Sequence, residues 1–364
     1  MPKTTSATGA AFSVSVVVPT CGRMDLLDRC LDALTRQALP AGTYEVIVVD
    51  DEPSHNTLHL VAGWRARTLD RGPRLIYLAN SANSAKHGQH GRAAARNLGW
   101  RAAQAPIVAF TDDDGVPAPG WLTQGLAAFG DEVDVLCGHV DKPLPAAPLS
   151  APLSAPPAAP PGPARAQGHD GDLMETPGVC VTNCFCRKSV LEVLGGFDER
   201  FEQSPHGDAD LHFRLLGMGA RIVPALDAVV VQPVPPMPWG ASLAQTRRAV
   251  FDALLYKKHP RLYREKIGAT PPLDYYLATV VLLVALGALL AGASVIAPVA
   301  GLAWLALTAR LAAQRLRGSA RCPNARSRKT VSHVADMIVT SALIPPLAVF
   351  WRLVGAIRYR VRFI

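Results

Sequence analysis

The stretch Ile107-Val108-Ala109-Phe110-Thr111-Asp112-Asp113-Asp114-Gly115-Val116-Pro117 decides how the chain is read. An apolar run delivers three consecutive carboxylates to its carboxyl end, and a Gly-Val-Pro turn follows. A short apolar run bounded by turn chemistry suits a strand buried on both faces. Working outward, Ser13 to Val18 (ended by Pro19), Glu45 to Val49 and Arg74 to Leu78 share that character. Between them, Met24 to Gln37 and Gly91 to Ala103 read as helices, the first with Leu27, Cys30, Leu31 and Leu34 on one face. Alternating strands and helices predict an α/β domain whose mixed, mainly parallel sheet is covered by helices on both faces. In such sheets ligands bind beyond the carboxyl ends of the strands. Three strands carry polar or acidic residues to that edge: Thr20, Asp50-Asp51 and Asp112 to Asp114.

Hard divalent cations such as Mg²⁺ and Mn²⁺ take carboxylate oxygens and keep positions open for phosphate. Asp112 and Asp114, one residue apart on extended chain, point to the same side and could approach one metal together. Alone, an acidic turn after a strand is equally a solvated turn. Asp50-Asp51, at the end of a second strand, adds acceptors for a base N–H or ribose hydroxyls. No G-x-G-x-x-G follows the first strand and no G-x-x-x-x-G-K-[ST] occurs, which argues against a dinucleotide dehydrogenase and a P-loop NTPase. Further along, Gly195-Gly196-Phe197-Asp198 precedes Asp208-Ala209-Asp210-Leu211. Carboxylates at a helix start complement the helix dipole. Asp208 there can equally serve as a general base facing an acceptor hydroxyl.

After the first domain, Gly178 to Cys186 reads as a strand and Lys188 to Leu194 as a short helix. Asp208 to Met218 is a helix, Arg221 to Val223 a strand, and Ser242 to Lys258 a longer helix. The segment 143–170 is almost wholly Pro, Ala, Ser and Gly, a flexible loop that is either a spacer or a substrate-gating lid. Seven cysteines at irregular spacing, and no apolar stretch in Met1 to Ala11, predict free thiols in a reducing cytoplasm and no signal peptide. Cys180, Cys184 and Cys186 share one strand parity. They lack the paired C-x-x-C spacing of a zinc site and read as small buried side chains.

With 364 residues, 49% apolar and 18% charged, the chain is neither disordered nor a disulfide scaffold. Its net charge of +8 is unevenly placed: residues 271–364 hold 11 Lys and Arg against Asp274 and Asp336. That excess borders apolar runs, which points to a membrane surface and not to nucleic acid. Leu277 to Ala309 is 33 residues without a charge, about 50 Å as one helix against a hydrocarbon core of about 30 Å. A hairpin over about 277–309, broken near Gly292 to Pro298, fits better and returns the basic loop Arg310 to Lys329 to the cytoplasm. Met337 to Gly355 is interrupted by Pro345-Pro346 and Arg352, and reads as a re-entrant, interfacial or spanning segment. A buried core helix pair is the alternative for the whole region.

Four ordered motifs now stand together: Val16-Val17-Val18-Pro19-Thr20 with Arg23; Val48-Val49-Asp50-Asp51; Ala95-Arg96-Asn97 before Thr111-Asp112-Asp113-Asp114; and Gly195-Gly196-Phe197-Asp198 before Asp208. Across about 13–225 the chain resembles the family 2 glycosyltransferases, which have the GT-A fold. The resemblance implies a nucleotide-sugar donor, UDP-sugar favoured, a divalent Mg²⁺ or Mn²⁺ ion, and inversion by single displacement. It implies that Thr20, Asp50 and Asp51 hold the uridine or guanosine. Arg23, Arg96, Asn97 and Asp113 then approach the donor, Asp112 and Asp114 form the metal motif, and Asp208 is the base. Three positions depart from the family pattern. Gly207 stands where Glu is usual, Glu52-Pro53 replaces Gly-Ser, and Ala249 replaces the Trp of the Q-x-x-R-W found in processive synthases.

The expected organisation is a tail over 1–12, a catalytic domain over 13–230, a juxtamembrane helical segment over 231–270 and a membrane-associated region over 271–364. The expected activity is a single sugar transfer to a lipid-linked or glycan acceptor at the cytoplasmic face of the inner membrane. A polyprenyl-phosphate sugar synthase is the enzymatic alternative, and a non-catalytic sugar-nucleotide-binding scaffold the alternative from another class.

Overall fold

The computed structural model describes residues 12–69, 71–80, 90–142, 181–202, 206–233, 239–268, 272–321 and 331–362. These fall into two compact units, divided between residues 234 and 235. The Pro/Ala-rich segment 143–170, Cys180 and Cys322 lie outside the described residues.

The first unit begins β1 (Val14–Thr20), α1 (Met24–Thr35), β2 (Tyr44–Asp50), α2 (His55–Thr68), β3 (Arg74–Ala79), α3 (Arg92–Ala102) and β4 (Ile107–Thr111). It continues with β5 (Val116–Pro117), α4 (Trp121–Ala128), β6 (Val135–Asp141), β7 (Asn183–Arg187), α5 (Lys188–Leu194), α6 (His206–Gly217) and β8 (Ile222–Val231). All eight strands form one sheet in the order β3-β2-β1-β4-β7-β6-β8-β5. The first four run parallel, whereas β7 is antiparallel to both β4 and β6.

The valine run of β1 explains why two helical layers are needed. Val14, Val16 and Val18 enter one core, and Val17 enters the other. A strand with both faces apolar must be covered on both sides. On the first face lie Leu27, Cys30, Leu31 and Leu34 of α1, Val61 of α2 and Trp121 and Leu122 of α4. Ala93, Ala95 and Trp100 of α3, Leu191 of α5 and Leu211 and Leu215 of α6 cover the second. β1 runs one residue beyond Pro19, contrary to the expected stop there; its pairing with β4 extends from Val14 to Val17, and its end is held by β2. The register pairs Thr20 with Asp50, so the polar strand ends are aligned at one edge.

The second unit opens with α7 (Ala241–Gln245), a 3₁₀ turn (Thr246–Ala249), α8 (Val250–Lys258) and α9 (Pro260–Lys266). The single helix expected over Ser242 to Lys258 is therefore broken, because Thr246 to Ala249 tighten to 3₁₀ geometry. α10 (Leu273–Leu290), α11 (Ile296–Arg321) and α12 (Val331–Arg358) follow. All three are long and apolar enough to cross a membrane. Just past the end of α10 stands Gly292, whose φ of 68° is left-handed. The Ala293 amide donates to the Ala288 carbonyl and the Gly292 amide to that of Leu289, a Schellman closure that only glycine enters without strain. The chain between α10 and α11 covers 291–295, and α11 continues 26 residues to Arg321. Pro345 and Pro346 do not interrupt the last segment as expected: both lie inside one 28-residue helix.

Candidate active site

At the carboxyl edge of β1, β2 and β4, the acidic run of 112–114 is divided between two arginines. Arg96, on α3 and almost wholly buried, donates from Nη2 to Asp112 Oδ1 at 2.8 Å and from Nη1 to Asp208 Oδ1 at 3.3 Å. Arg23 follows β1, donating from Nε to Asp113 Oδ2 and from Nη1 to Asp114 Oδ2, each at 3.1 Å, and pairing also with Asp113 Oδ1. Thr20 donates to Asp113 Oδ2 at 2.9 Å. The fold thus makes two adjacent sets, Arg96 with Asp112 and Asp208, and Thr20 and Arg23 with Asp113, Arg23 reaching Asp114 as well, joined through the 112–114 backbone.

Each carboxylate has its own electrostatic setting. Burial pushes the Asp112 carboxyl up, but Arg96 and Arg92 outweigh it and hold the group below its ordinary value. Asp113 is raised, because burial exceeds the opposing charge of Arg23. Asp208, in the first turn of α6, is also raised: desolvation dominates, Arg96 opposes it and the Asp112 charge adds to it. A carboxylate with a raised pKa is a stronger proton acceptor, and 28% of this side chain remains exposed to meet one.

The other acidic strand end divides its duties. Asp50 Oδ2 accepts from the Tyr77 hydroxyl at 3.0 Å and the Ser54 amide at 3.1 Å, while buried Oδ1 has no partner among the described residues. A buried, unanswered carboxylate oxygen is costly, and a ligand N–H would answer it. Asp51 instead holds the chain: it accepts from Asn80 Nδ2 at 2.6 Å and from the Gly91 amide at 2.8 Å, at the start of α3. Asn97 is likewise turned inward. It bonds the amide and carbonyl of Phe197 at 2.8 Å, accepts from Trp100 Nε1 at 2.9 Å and donates to Glu199. Gly196 must be glycine here, since a Cβ would lie 2.3 Å from Asn97 Oδ1 and φ is 79°. The Gly-Gly-Phe-Asp motif therefore closes on α3.

At Gly207, where the family pattern has Glu, a Cβ would stand 3.3 Å from Phe201 Cβ, tighter than an ordinary contact. Five neighbours were not among the expected site residues. Thr182 donates to Asp112 Oδ2 at 3.1 Å, Gln232 to Asp114 Oδ1 at 2.8 Å, and Arg92 stands 3.8 Å from Asp112. Tyr77 and Asn80 support Asp50 and Asp51 as described above. Thr182 was recoverable from pairing alone, because antiparallel β7 sets Asn183 against Thr111.

Among the described residues, no three His, Cys, Asp or Glu side chains form a metal cluster by themselves. The donors at 112–114 are hard carboxylate oxygens, and Asp114, facing Arg23 and Gln232, is the more exposed of the metal-motif pair. That donor set fits Mg²⁺ or Mn²⁺ drawing its remaining ligands from phosphate and water. Cys184 and Cys186 are buried thiols.

The sequence profile described as Glycosyl transferase family 2 matches residues 15–195. The glycosyltransferase AglE of Haloferax volcanii is 27% identical over 232 residues, covering 61% of this chain and 67% of that protein. Validoxylamine A glucosyltransferase of Streptomyces hygroscopicus subsp. jinggangensis is 34% identical over 122 residues, which are 34% of this chain and 26% of that longer protein. Among solved structures, the mannosyltransferase PcManGT of Pyrobaculum calidifontis, in complex with GDP-Man and Mn²⁺, superimposes with a TM-score of 0.52 at 22% identity. The superposition covers 92% of this chain and 86% of that one. Sequence motifs, sheet order and these likenesses agree: the chain belongs to glycosyltransferase family 2 and has the GT-A fold.

Proposed function

We propose that this glycosyltransferase is anchored in the membrane and moves one sugar from a nucleotide-sugar donor, UDP-sugar favoured, to a hydroxyl of a lipid-linked acceptor. The bond that carries this reading joins Arg96 to both Asp112 and Asp208, because it sets a base candidate beside the acidic motif. Asp208 takes the proton of the acceptor hydroxyl as that oxygen attacks the anomeric carbon. The bond to the diphosphate breaks on the opposite face, so the configuration inverts. Asp114, with Asp112, would hold a divalent ion, which neutralises charge on the departing diphosphate. Asp50 receives a base N–H at its open oxygen, while Thr20, Arg23 and Asp113 line the approach. Asp51 and Asn97 serve by positioning α3 and the Gly-Gly-Phe-Asp turn.

Ala249, in place of the Trp of processive synthases, supports a single transfer. The membrane is the inner one, with the first unit in the cytoplasm, consistent with the basic loop between Arg310 and Lys329. A phosphate acceptor, as in a polyprenyl-phosphate sugar synthase, is the competing reading, and Gly207 favours it by leaving Asp208 without the family's second carboxylate. The test is nucleotide release from UDP-, GDP- and dTDP-sugars by detergent-purified protein with membrane lipid extract, in Mn²⁺ or Mg²⁺ against EDTA. Metal-dependent release from one donor is expected. Asp208→Asn should abolish transfer to a hydroxyl while nucleotide still binds, whereas retained transfer at the parental rate would assign a phosphate acceptor.

A further inference from the structure

The hairpin of the second unit has a base and a tip. α10 spans 18 residues, about 27 Å, close to a hydrocarbon core of about 30 Å. With its tip at the 291–295 turn, its base is the level of Asp274 on α10 and of Gln314 and Arg315 on α11, charged or polar groups suited to a membrane surface. α12 meets the hairpin at this base. Arg315 Nη1 donates to the Met337 carbonyl at 3.3 Å and to the hydroxyls of Thr340 and Ser341 at 2.8 and 3.0 Å. A cavity of about 410 Å³ here is lined by Asp274, Tyr275, Gln314, Arg315, Ser341 and Pro345. Pro345 stands at the midpoint of α12. A third span would put that midpoint at the bilayer centre, about 15 Å from either surface.

A second observation concerns what lies along α12. The Gly240 amide donates to Asp336 at 2.8 Å, Arg247 stands over Trp351 at 5.7 Å, Arg352 pairs with Asp252 at 3.2 Å, and Lys257 donates to the Tyr359 carbonyl at 2.7 Å. Thus α12 is accompanied near both ends by the segment 240–258, which carries Arg247, Arg248, Asp252, Lys257 and Lys258. A segment with five charged side chains does not enter hydrocarbon, and its companion stays beside it.

The faces of α12 complete the geometry. Ile338, Val339, Leu343, Phe350, Leu353 and Ile357 are exposed and fall within an arc of about 140°. Met337, Ser341, Ala348 and Gly355 occupy the other side and are buried. We infer that α12 is a surface helix lying in the membrane plane, its apolar stripe seated in the headgroup–acyl boundary of an anionic phospholipid surface. Lys257, Lys258, Arg358, Arg360 and Arg362 supply the complementary charge. Two helices then cross, and the tail lies on the same side as the basic loop Arg310 to Lys329.

This inference rests on the membrane anchoring proposed above, which carbonate extraction of membranes tests separately: a chain released by carbonate overturns the anchoring itself. The direct test uses the full chain in vesicles of phosphatidylcholine and phosphatidylglycerol, with native cysteines replaced. Nitroxides are placed singly at Ile338, Leu343, Phe350 and Ile357. All four should sit at one immersion depth, and Arg326→Cys and Arg362→Cys should react with an impermeant maleimide from the same side. A shallow–deep–shallow profile, or labelling from opposite sides, overturns the surface helix and makes α12 a third span.

Discussion

Arg96 Nη1 lies 3.3 Å from Asp208 Oδ1, although 112 residues separate the two in the chain. The contact couples α3 to α6, and the same guanidinium holds Asp112 on its other nitrogen. Arg96 thus holds two carboxylates and favours their ionised forms, which burial disfavours.

The pH dependence follows from the sign. Asp208 must be ionised to accept a proton, so activity falls as pH drops through its raised pKa. Arg96→Gln removes the charge that opposes this rise. The acidic limb of the kcat/KM profile should then move to higher pH, measured on the active donor across pH 4–9. An unmoved limb would separate Arg96 from the base.

Asp208→Asn should lower kcat about 10²- to 10⁴-fold, the usual contribution of a positioned base. Its stability should not fall with its activity. A carboxyl with a raised native pKa contributes stability that is full below its unfolded value and is lost as pH rises through the folded one. Removing the charge abolishes that loss, so Tm at pH 7 should equal or exceed the parent's in thermal melts. Asp112 has the opposite sign: its stabilisation is present above the unfolded pKa and is lost as pH falls through its lowered value.

Asp114→Ala should reduce metal-dependent nucleotide release by two orders of magnitude or more, a loss of roughly 3 kcal/mol of charge stabilisation. Adding EDTA to the parent enzyme should reproduce most of the effect, and EDTA should change the variant little. An equal EDTA response in both proteins would place the metal elsewhere.

Asn97→Ala tests positioning against donor contact. It strands the Phe197 amide and carbonyl and the Trp100 N–H, each buried and each worth about 1–3 kcal/mol when left unanswered. Denaturant titration should show a loss above about 2 kcal/mol. Calorimetry on the surviving folded protein should give nucleotide affinity near the parent's, whereas a stable variant with weak nucleotide binding would return Asn97 to the donor.

Asp50→Ala should weaken nucleotide binding about 10- to 100-fold, as expected for a charged hydrogen bond of about 1.5–3 kcal/mol. Tyr77→Phe, which leaves the open oxygen in place, should cost much less in the same calorimetric titration.

Local pattern made the first half of the sheet readable. Val16 to Val18, Val46 to Val49 and Val108 to Phe110 are apolar on both faces, and the Leu27, Cys30, Leu31, Leu34 stripe of α1 is helical by spacing alone. α2 was unreadable for the opposite reason, because it buries little besides Thr57 and Val61 and has almost no stripe. β6 and most of β8 alternate imperfectly, with exposed Leu226 and Asp227 inside β8, so their strand character comes from pairing with each other. In the second unit the apolar lengths were plain, but the continuity of α12 through Pro345 and Pro346 was not.

The acidic strand ends, the order of the motifs and the basic, apolar final quarter follow from residue type and spacing, which local sterics and hydrophobicity govern. Which carboxylate answers which arginine does not. Arg96 with Asp112 and Asp208, Asp113 with Thr20 and Arg23, and Asn97 with Phe197 are contacts across 16 to 112 residues. Only the parallel register, the antiparallel return of β7 and the packing of α3 against the Gly195-Gly196 turn bring them within hydrogen-bond reach. Burial then sets whether a carboxyl rises or falls, because the cost of desolvation and the gain from a neighbouring charge both depend on distance in space.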